Sequence, residues 1–267
     1  MRGNMLALLA TAILGGPAPA DDTIAQAVDI GPGLGAGHPD PVASPDGTKL
    51  WVAFGSERDG QGDVYVARSE DGGNTFAPPV KAIDAGGRYR VGCQRGPRIG
   101  LDAAGNVYVS ACVQVEAITP APKYPQPDCW LAVSRDGGRT FGAPVKVNDG
   151  GKTATEGMHA MAIAGDGTAH LVWLDTRGAK RGNQLWYAQV TGRGTKVVGN
   201  ALAYAAPGGT ICPCCAPALA LDGKGSPVAA FRNAEGGARD AWVAISRDRG
   251  RTFAAAKVGA GTWKAST

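Results

Sequence analysis

Thiol and imidazole side chains recur along this chain at spacings that a repeated fold would bring together. Each of them comes just before a short apolar run that reads as the first strand of a repeating unit. They are His38, Cys93, His159, Cys212, Cys214 and Cys215. Thiolate and imidazole form a soft ligand set that suits zinc or copper. The pattern therefore predicts a metal site, with Zn²⁺ or copper as its ion, where the first strands of successive units meet.

The same cysteines also allow an arrangement of disulfides alone. Cys112 ends one predicted strand and Cys129 begins the next, so the two residues flank one loop and form a candidate disulfide. Cys93 can then bond one member of the run at 212–215, which leaves two cysteines in that run. Adjacent cysteines rarely bond each other without strain. Disulfides alone and a metal or redox-active site both stay open on the sequence.

A second set of candidates consists of arginines and aspartates in predicted loops between a second and a third strand. The set is Arg58, Arg177, Arg232, Arg239, Asp175 and Asp240. A guanidinium group presents a planar fork of donors that matches a carboxylate or a phosphate. These loops are therefore expected to bind an acidic ligand, and ion pairs between neighbouring loops are the structural alternative for the same residues.

An eight-residue motif predicts the strands and turns that must position these residues. It occurs three times, at 69–76, 134–141 and 246–253. In each copy an aspartate accepts backbone N–H bonds within a tight turn, and a glycine supplies positive φ. The motif residues are interpreted as structural. They are Ser69, Asp71, Gly73, Phe76, Ser134, Asp136, Gly138, Phe141, Ser246, Asp248, Gly250 and Phe253. A degenerate copy lies at 190–197.

A second hairpin, which turns at a glycine, precedes each of these motifs. The unit is thus strand, glycine turn, strand, variable loop, strand, Asp turn and strand. Four such units are predicted, over approximately 38–82, 95–149, 158–203 and 214–259. Repeats of this length are typical of propeller blades. The chain holds 41 glycines and 18 prolines, which disfavour long helices. The sequence therefore predicts an all-β propeller in one domain.

With three copies of Ser-x-Asp-x-Gly-x-Thr-Phe, the chain resembles the Asp-box (BNR-repeat) proteins, the sialidase-like β-propellers. The resemblance implies a ring of the six-bladed type, of which four blades are visible. We therefore expect an incomplete ring that missing blades or a partner chain completes, with a closed four-bladed ring as the alternative. The resemblance also directs ligand binding to the face that carries the loops between second and third strands.

Three functions follow from these patterns. The first is an exo-sialidase-type glycoside hydrolase or a glycan-binding protein that directs its arginines toward an acidic sugar. The Arg-Ile-Pro element that such sialidases carry near their start is absent here, and no catalytic residue is assigned. The second is a non-catalytic propeller with a Cys/His metal site or a protein-interaction role. The third is a structural exported domain held by disulfides.

The N-terminus has the pattern of a secretory signal peptide over residues 1–20. Arg2 supplies a positive charge, Met5 to Leu14 form an apolar segment too short to span a bilayer, and Ala18-Pro19-Ala20 is a small-residue cleavage site. The mature chain, 21–267, is therefore expected to be secreted or periplasmic, without a membrane span. The net charge of +4 contains no run of Lys or Arg, so no nucleic-acid partner is expected.

Overall fold

The computed structural model describes residues 27–59, 61–89, 95–114, 127–151, 154, 157–177, 182–207, 209–234 and 239–259. Residues 1–20, the predicted signal peptide, lie outside these ranges. The described residues form sixteen β-strands and no α-helix. Accordingly, none of the described residues belongs to a helix that is long and apolar enough to cross a membrane.

The sixteen strands form four antiparallel sheets, each made of four strands that are consecutive in sequence. Each sheet is called a blade here, numbered in chain order. Blade 1 contains β1 (Ala36–Ala43), β2 (Leu50–Arg58), β3 (Gln61–Ser69) and β4 (Val80–Ile83). Blade 2 contains β5 (Arg98–Leu101), β6 (Val107–Gln114), β7 (Pro127–Ser134) and β8 (Val145–Lys146). Blade 3 contains β9 (His159–Ile163), β10 (Ala169–Asp175), β11 (Gln184–Thr191) and β12 (Lys196–Tyr204). Blade 4 contains β13 (Ala218–Leu221), β14 (Pro227–Arg232), β15 (Ala241–Ile245) and β16 (Ala254–Lys257).

The blades pack face to face in sequence order. The first strands lie side by side, with β1 against β5, β5 against β9 and β9 against β13. Three apolar clusters fill the spaces between blades 1 and 2, 2 and 3, and 3 and 4. The second strands β6 and β10 are buried along their whole length because neighbouring blades cover both of their faces. Among the described strands, β13 and β1 make no comparably extensive contact, so the four blades form an open arc.

The Asp turns close the third hairpin of blades 1, 2 and 4 through the same set of hydrogen bonds. In blade 2, the Ser134 hydroxyl donates to the Asp136 carboxylate at 2.7 Å. Thr140 donates to that carboxylate through its backbone N–H at 2.9 Å and its hydroxyl at 2.6 Å. Gly138 has φ of +84°, and a Cβ there would lie 2.9 Å from the Trp51 ring. Glycine is thus required both for the turn and for the approach of blade 1.

The remaining turns repeat this arrangement around Asp71 and Asp248, each of which accepts bonds from the serine two residues before it and the threonine four residues after it. In two of the motifs, the phenylalanine that ends the motif packs back against the protein. Phe141 packs against the cluster between blades 1 and 2. Phe253 packs between blades 3 and 4, where its ring meets Tyr187 edge-on at 5.1 Å.

These turns predict a loss of stability in acid. Hydrogen bonds from Ser134 and Thr140 hold the pKa of Asp136 well below its usual range, and bonds led by those from Thr75 and Thr252 lower the pKa of Asp71 and Asp248 to about 2. A carboxylate whose pKa is lower in the folded state stabilises the fold above about pH 4, the unfolded value, and loses that contribution as the pH falls toward 2. The melting temperature is therefore expected to be level from pH 7 to 5 and to fall between pH 4 and 2.

The Asp136→Asn variant tests this explanation. Without the carboxylate, we expect the melting temperature at pH 7 to fall by about 2–4 °C, corresponding to about 1 kcal/mol in a chain of this size, and part of the acid dependence to disappear. Asp59→Asn is the control, because Asp59 is exposed and its φ of +52° suits asparagine. Circular dichroism melts across the pH range provide the measurement. An unchanged acid dependence in Asp136→Asn would contradict the assignment.

Candidate functional site

Apart from Cys93, which lies outside the described residues, the predicted metal-binding and ligand-binding residues lie at or near one end of the sheets, which we call the loop face. At this end β2, β6, β10 and β14 finish, and the chain passes from one blade to the next. The glycine turns and Asp turns lie at the opposite end, which follows from the antiparallel order of each sheet. Among the described residues of this face we distinguish a thiol cluster on blade 4, a buried thiol–imidazole cluster between blades 2 and 3, the ion pairs of Asp175 and Asp240, and a cleft on blade 1.

The thiol cluster consists of Cys212, Cys214 and Cys215. The Cys212 sulfur lies 3.2 Å from the sulfur of Cys214 and 3.4 Å from that of Cys215, and the remaining pair is 4.0 Å apart. All three sulfurs are thus near enough to one another to hold one metal ion. Cys212 is buried, Cys215 is half-buried and Cys214 is exposed. The cluster therefore has a buried floor and an open side.

The backbone holds this segment across two blades. Ile211 donates its N–H to the carbonyl of Asn183, beside blade 3, at 2.9 Å. Cys212 donates its N–H to the carbonyl of Arg232, at the end of β14, also at 2.9 Å. Because Ile211 directly precedes the run and Cys212 begins it, these two bonds fix the start of the run against the scaffold.

Two arginines that the sequence assigned to an acidic ligand instead point at these sulfurs. Arg239 Nη1 lies 3.4 Å from the sulfur of Cys212 and 3.6 Å from that of Cys214. Arg232 Nη1 lies 3.6 Å from the sulfur of Cys215. Burial raises the pKa of Cys212 to about 11. Hydrogen bonds, first from Cys212 and then from Cys215 and Arg239, lower the pKa of Cys214. Of these two thiols, Cys214, on the open side of the cluster and beside Arg239, is thus the one that loses its proton more readily.

The structure brings together only part of the predicted metal-binding set. Within the described ranges, no histidine, aspartate, glutamate or further cysteine joins the three cysteines. His38 lies on β1 with φ of +53°. It lies against Gly96, where an added Cβ would come within 2.8 Å of the His38 Cβ. His159 lies in the buried cluster described next, and Cys93 falls outside the described residues.

The buried cluster joins blades 2 and 3 around the ring of His159. Ser110 Oγ lies 2.9 Å from His159 Nε2, and Cys112 Sγ lies 3.5 Å from Nδ1. Cys112 and Cys129 face each other in register across β6 and β7. Burial raises the pKa of Cys112, but the hydrogen bond from Cys129 and the charge of His159 outweigh it and lower the value to about 5. Burial, followed by the hydrogen bond with Cys112, raises the pKa of Cys129.

The predicted disulfide therefore has its two residues in place but is not formed in this structure. The sulfurs of Cys112 and Cys129 are 3.0 Å apart, which is hydrogen-bond contact and longer than the S–S bond of about 2.05 Å. Both cysteines are free thiols. Oxidation of the pair stays a prediction.

Asp175 and Arg177, predicted to bind an acidic ligand, are committed to each other. The Asp175 carboxylate is 0% exposed and accepts bonds from Trp173 Nε1 at 2.8 Å and from the Arg177 backbone N–H at 2.7 Å. Arg177 Nη2 lies 2.7 Å from the same carboxylate. The Arg177 guanidinium also pairs with Asp149 and lies 4.2 Å from the centre of the Trp186 ring. These two residues thus form a structural ion pair, the alternative to binding an acidic ligand.

Asp240 belongs to a recurring ion pair that the sequence reasoning missed. Its carboxylate lies 3.0 Å from Lys257 Nζ, on the adjacent strand of blade 4. Equivalent pairs join the third and fourth strands of blades 1 and 2, namely Asp63 with Lys81 at 2.8 Å and Asp128 with Lys146 at 3.7 Å. The available signal was an aspartate two residues before an aromatic at the third strand of blades 1, 2 and 4, with a lysine in the fourth strand. Asp240 is therefore part of the scaffold.

The last group is a cleft of about 500 Å³ on blade 1. Arg58, the remaining predicted ligand-binding arginine, lines it together with Asp59, Gln61 and Tyr65. Arg58 is exposed at the end of β2, and in the described part of the chain its guanidinium has no ion pair. The Tyr65 ring is supported from behind by Phe54, with ring centres 6.1 Å apart. A guanidinium, the carboxylates of Asp59 and Asp63, an amide and an aromatic ring thus line one cleft.

No family model matches the chain, and no curated protein matches its sequence. Solved structures do match its fold. An α-L-arabinanase of Penicillium chrysogenum in complex with arabinobiose has a TM-score of 0.58 at 14% identity, over 84% of this chain and 67% of that one. The intramolecular trans-sialidase of Ruminococcus gnavus, in complex with oseltamivir carboxylate, has a TM-score of 0.54 at 12% identity, over 86% and 71%. This chain has a β-propeller fold.

A polysaccharide lyase of family PL25, an ulvan lyase bound to -[GlcA(1-4)Rha3S]-, is similar to the same extent. Its TM-score is 0.57 at 13% identity, over 84% of this chain. The chain spans 56% of the length of that lyase. The prediction of an all-β propeller with four visible blades is confirmed, and identities this low show the fold alone.

Proposed function

We propose that this chain is an exported, glycoside-hydrolase-like propeller of the Asp-box type that binds an acidic glycan in the blade 1 cleft. The observation that carries the proposal is Arg58, an exposed arginine that lines a cleft on the loop face. The three similar structures belong to proteins that act on carbohydrates by name, which supports the same class of ligand. Export rests on the signal-peptide pattern of residues 1–20.

The cleft suits an acidic sugar for three physical reasons. The guanidinium of Arg58 offers paired N–H donors to a sugar carboxylate. The Tyr65 ring provides an apolar surface, and Gln61 provides an amide that donates and accepts hydrogen bonds to hydroxyl groups. Asp63, at the base of the cleft, is held by Lys81 and by the backbone N–H of Ala85 at 2.7 Å. The wall of the cleft is therefore fixed before a ligand arrives.

Exo-sialidase activity is the most specific form of the proposal. It assigns the carboxylate of a terminal sialic acid to Arg58 and places Asp59 beside the sugar ring, because both residues line the cleft. Turnover of a fluorogenic sialoside measures this form directly. Binding of an acidic oligosaccharide without turnover would support the broader, glycan-binding form and exclude the enzymatic one.

Calorimetric titration of the mature chain with a sialyl oligosaccharide, a glucuronate oligosaccharide and a neutral arabinan oligosaccharide tests the proposal. We expect an acidic oligosaccharide to bind and Arg58→Ala to weaken that binding by about tenfold or more, the effect of removing one charge-assisted hydrogen bond. Arg251→Ala is the matched control, because Arg251 is equally exposed but lies in an Asp turn at the opposite end of the blades. Failure of all three oligosaccharides to bind, or equal binding by both variants, would refute it.

A further inference from the structure

We infer that Cys212, Cys214 and Cys215 form a three-thiolate site for a thiophilic metal ion, zinc or copper(I), with Arg232 and Arg239 as its charge-compensating neighbours. The inference is independent of the glycan proposal, since no residue of this cluster lines the blade 1 cleft. It also differs from the set expected on the sequence, because neither His38 nor His159 takes part.

The distances between the sulfurs fit one shared ion. A zinc–sulfur bond of about 2.3 Å in a tetrahedral site places neighbouring sulfurs about 3.8 Å apart. The three separations here are 3.2, 3.4 and 4.0 Å. Side-chain shifts of a few tenths of an ångström therefore bring all three sulfurs to bonding distance, while the bonds of Ile211 and Cys212 hold the start of the run in place.

The charges fit as well. Three thiolates around Zn²⁺ carry one net negative charge, and around Cu⁺ they carry two. Nη1 atoms of Arg232 and Arg239 lie 3.4–3.6 Å from the sulfurs, so two positive charges are already in place. Hydrogen bonds from these guanidinium groups favour the thiolate form of the sulfurs, which is the form that a metal requires.

The open side of the cluster provides an entrance and a fourth position. Cys214 is exposed and Cys215 is half-buried, so an ion can enter from solvent. Within the described residues no fourth protein ligand lies near the sulfurs. A site with three protein ligands and one open position is the arrangement that lets a bound metal take an outside ligand. The two guanidinium groups beside it would favour an anion there.

The competing structure is a disulfide within the run, in which two of the three thiols lose their hydrogens to an oxidant and one cysteine stays free. The two structures differ in mass. Metal binding replaces thiol protons by one ion and leaves every sulfur fully reduced, so a reducing agent has no disulfide to cleave. The disulfide instead lowers the mass by two hydrogens, and reduction restores two thiols.

The test uses the reduced, metal-free full chain. Zn²⁺ and Cu⁺ are each titrated in competition with a coloured chelator, which measures the affinity. Native mass spectrometry of the complex measures the number of ions bound. We expect one ion per chain and release of protons on binding. Cys214→Ser is expected to weaken binding by about 100-fold or more, and Arg239→Ala by about tenfold, on the scale known for ligands and their neighbours. Cys112→Ser, which removes a cysteine of the buried cluster, is expected to keep the full stoichiometry.

Thermal melts of each variant show whether it is folded, so that a lost site is separated from a lost structure. No ion bound by the folded, fully reduced chain would overturn the inference. Equal loss of metal in Cys112→Ser and Cys214→Ser, with both folded, would also overturn it. Glycan binding is measured at the blade 1 cleft, which is separate from the thiol cluster. A chain that binds no metal would therefore leave the result with Arg58→Ala unaffected, and the reverse holds.

Discussion

Replacing Asp175 with alanine is expected to lower the free energy of unfolding by about 3–5 kcal/mol, the usual cost of removing one partner of a buried ion pair. The carboxylate is 0% exposed and accepts three kinds of N–H bond, from the indole of Trp173 and from the backbone and side chain of Arg177. Without it, a guanidinium group and an indole N–H stay among buried side chains with their main acceptor gone. Burial lowers the pKa of Arg177, and its side chain is only 16% exposed.

A matched control exists on the same arginine. Arg177 also pairs with Asp149, whose side chain is 65% exposed. Asp149→Ala removes the same charge at the surface, where an ion pair contributes about 0–1 kcal/mol. Urea unfolding followed by tryptophan fluorescence measures both variants. Equal losses in the two variants would show that burial does not control the contribution of this pair.

Trp51→Ala is expected to cost about 3–5 kcal/mol, the range for truncating a large aromatic in a packed interior. Trp51 is 5% exposed in the cluster between blades 1 and 2. Its indole Nε1 donates to the carbonyl of Gly137, in the Asp turn of blade 2, at 2.9 Å. The ring therefore joins two blades both by packing and by a hydrogen bond, and its loss weakens their whole contact.

Trp51→Phe separates these two contributions. Phenylalanine keeps most of the apolar contact and removes the hydrogen bond, so a loss of about 1 kcal/mol for the bond is expected, with a further small loss for the smaller ring. Equilibrium unfolding in guanidinium chloride compares the two variants with the parent chain. If Trp51→Phe were as unstable as Trp51→Ala, the hydrogen bond rather than the packing would dominate the contact between the blades.

The parts of the fold that sequence reasoning predicted well depend on local interactions. All hydrogen bonds that define the turn around Asp136 join residues within four positions of it, so the motif alone specifies them. The placement of Cys112 opposite Cys129 follows from one hairpin, because the two residues flank its loop. Four repetitions of such units were enough to indicate the propeller.

The roles of the site residues depend on neighbours that are distant in sequence, and a pattern read along one chain does not supply these. Arg232 ends β14 and Arg239 lies in the loop that follows it, as expected, but their Nη1 atoms lie beside the sulfurs of the thiol cluster. His159 stands at the start of a first strand, as expected, but its ring turns toward Ser110 and Cys112 of the preceding blade. In a strand, a side chain faces one side or the other according to a single-residue register, and only the packed structure decides it.

The contacts between successive first strands make the molecule nearly one-dimensional. Among the described strands, each blade buries its faces mainly against the blades next to it in the sequence. In such an array, stability approaches a sum of the stabilities of single units and of the junctions between neighbours. Damage at one junction therefore need not spread through the whole molecule, and an inner blade, supported on two sides, persists longer than an outer one.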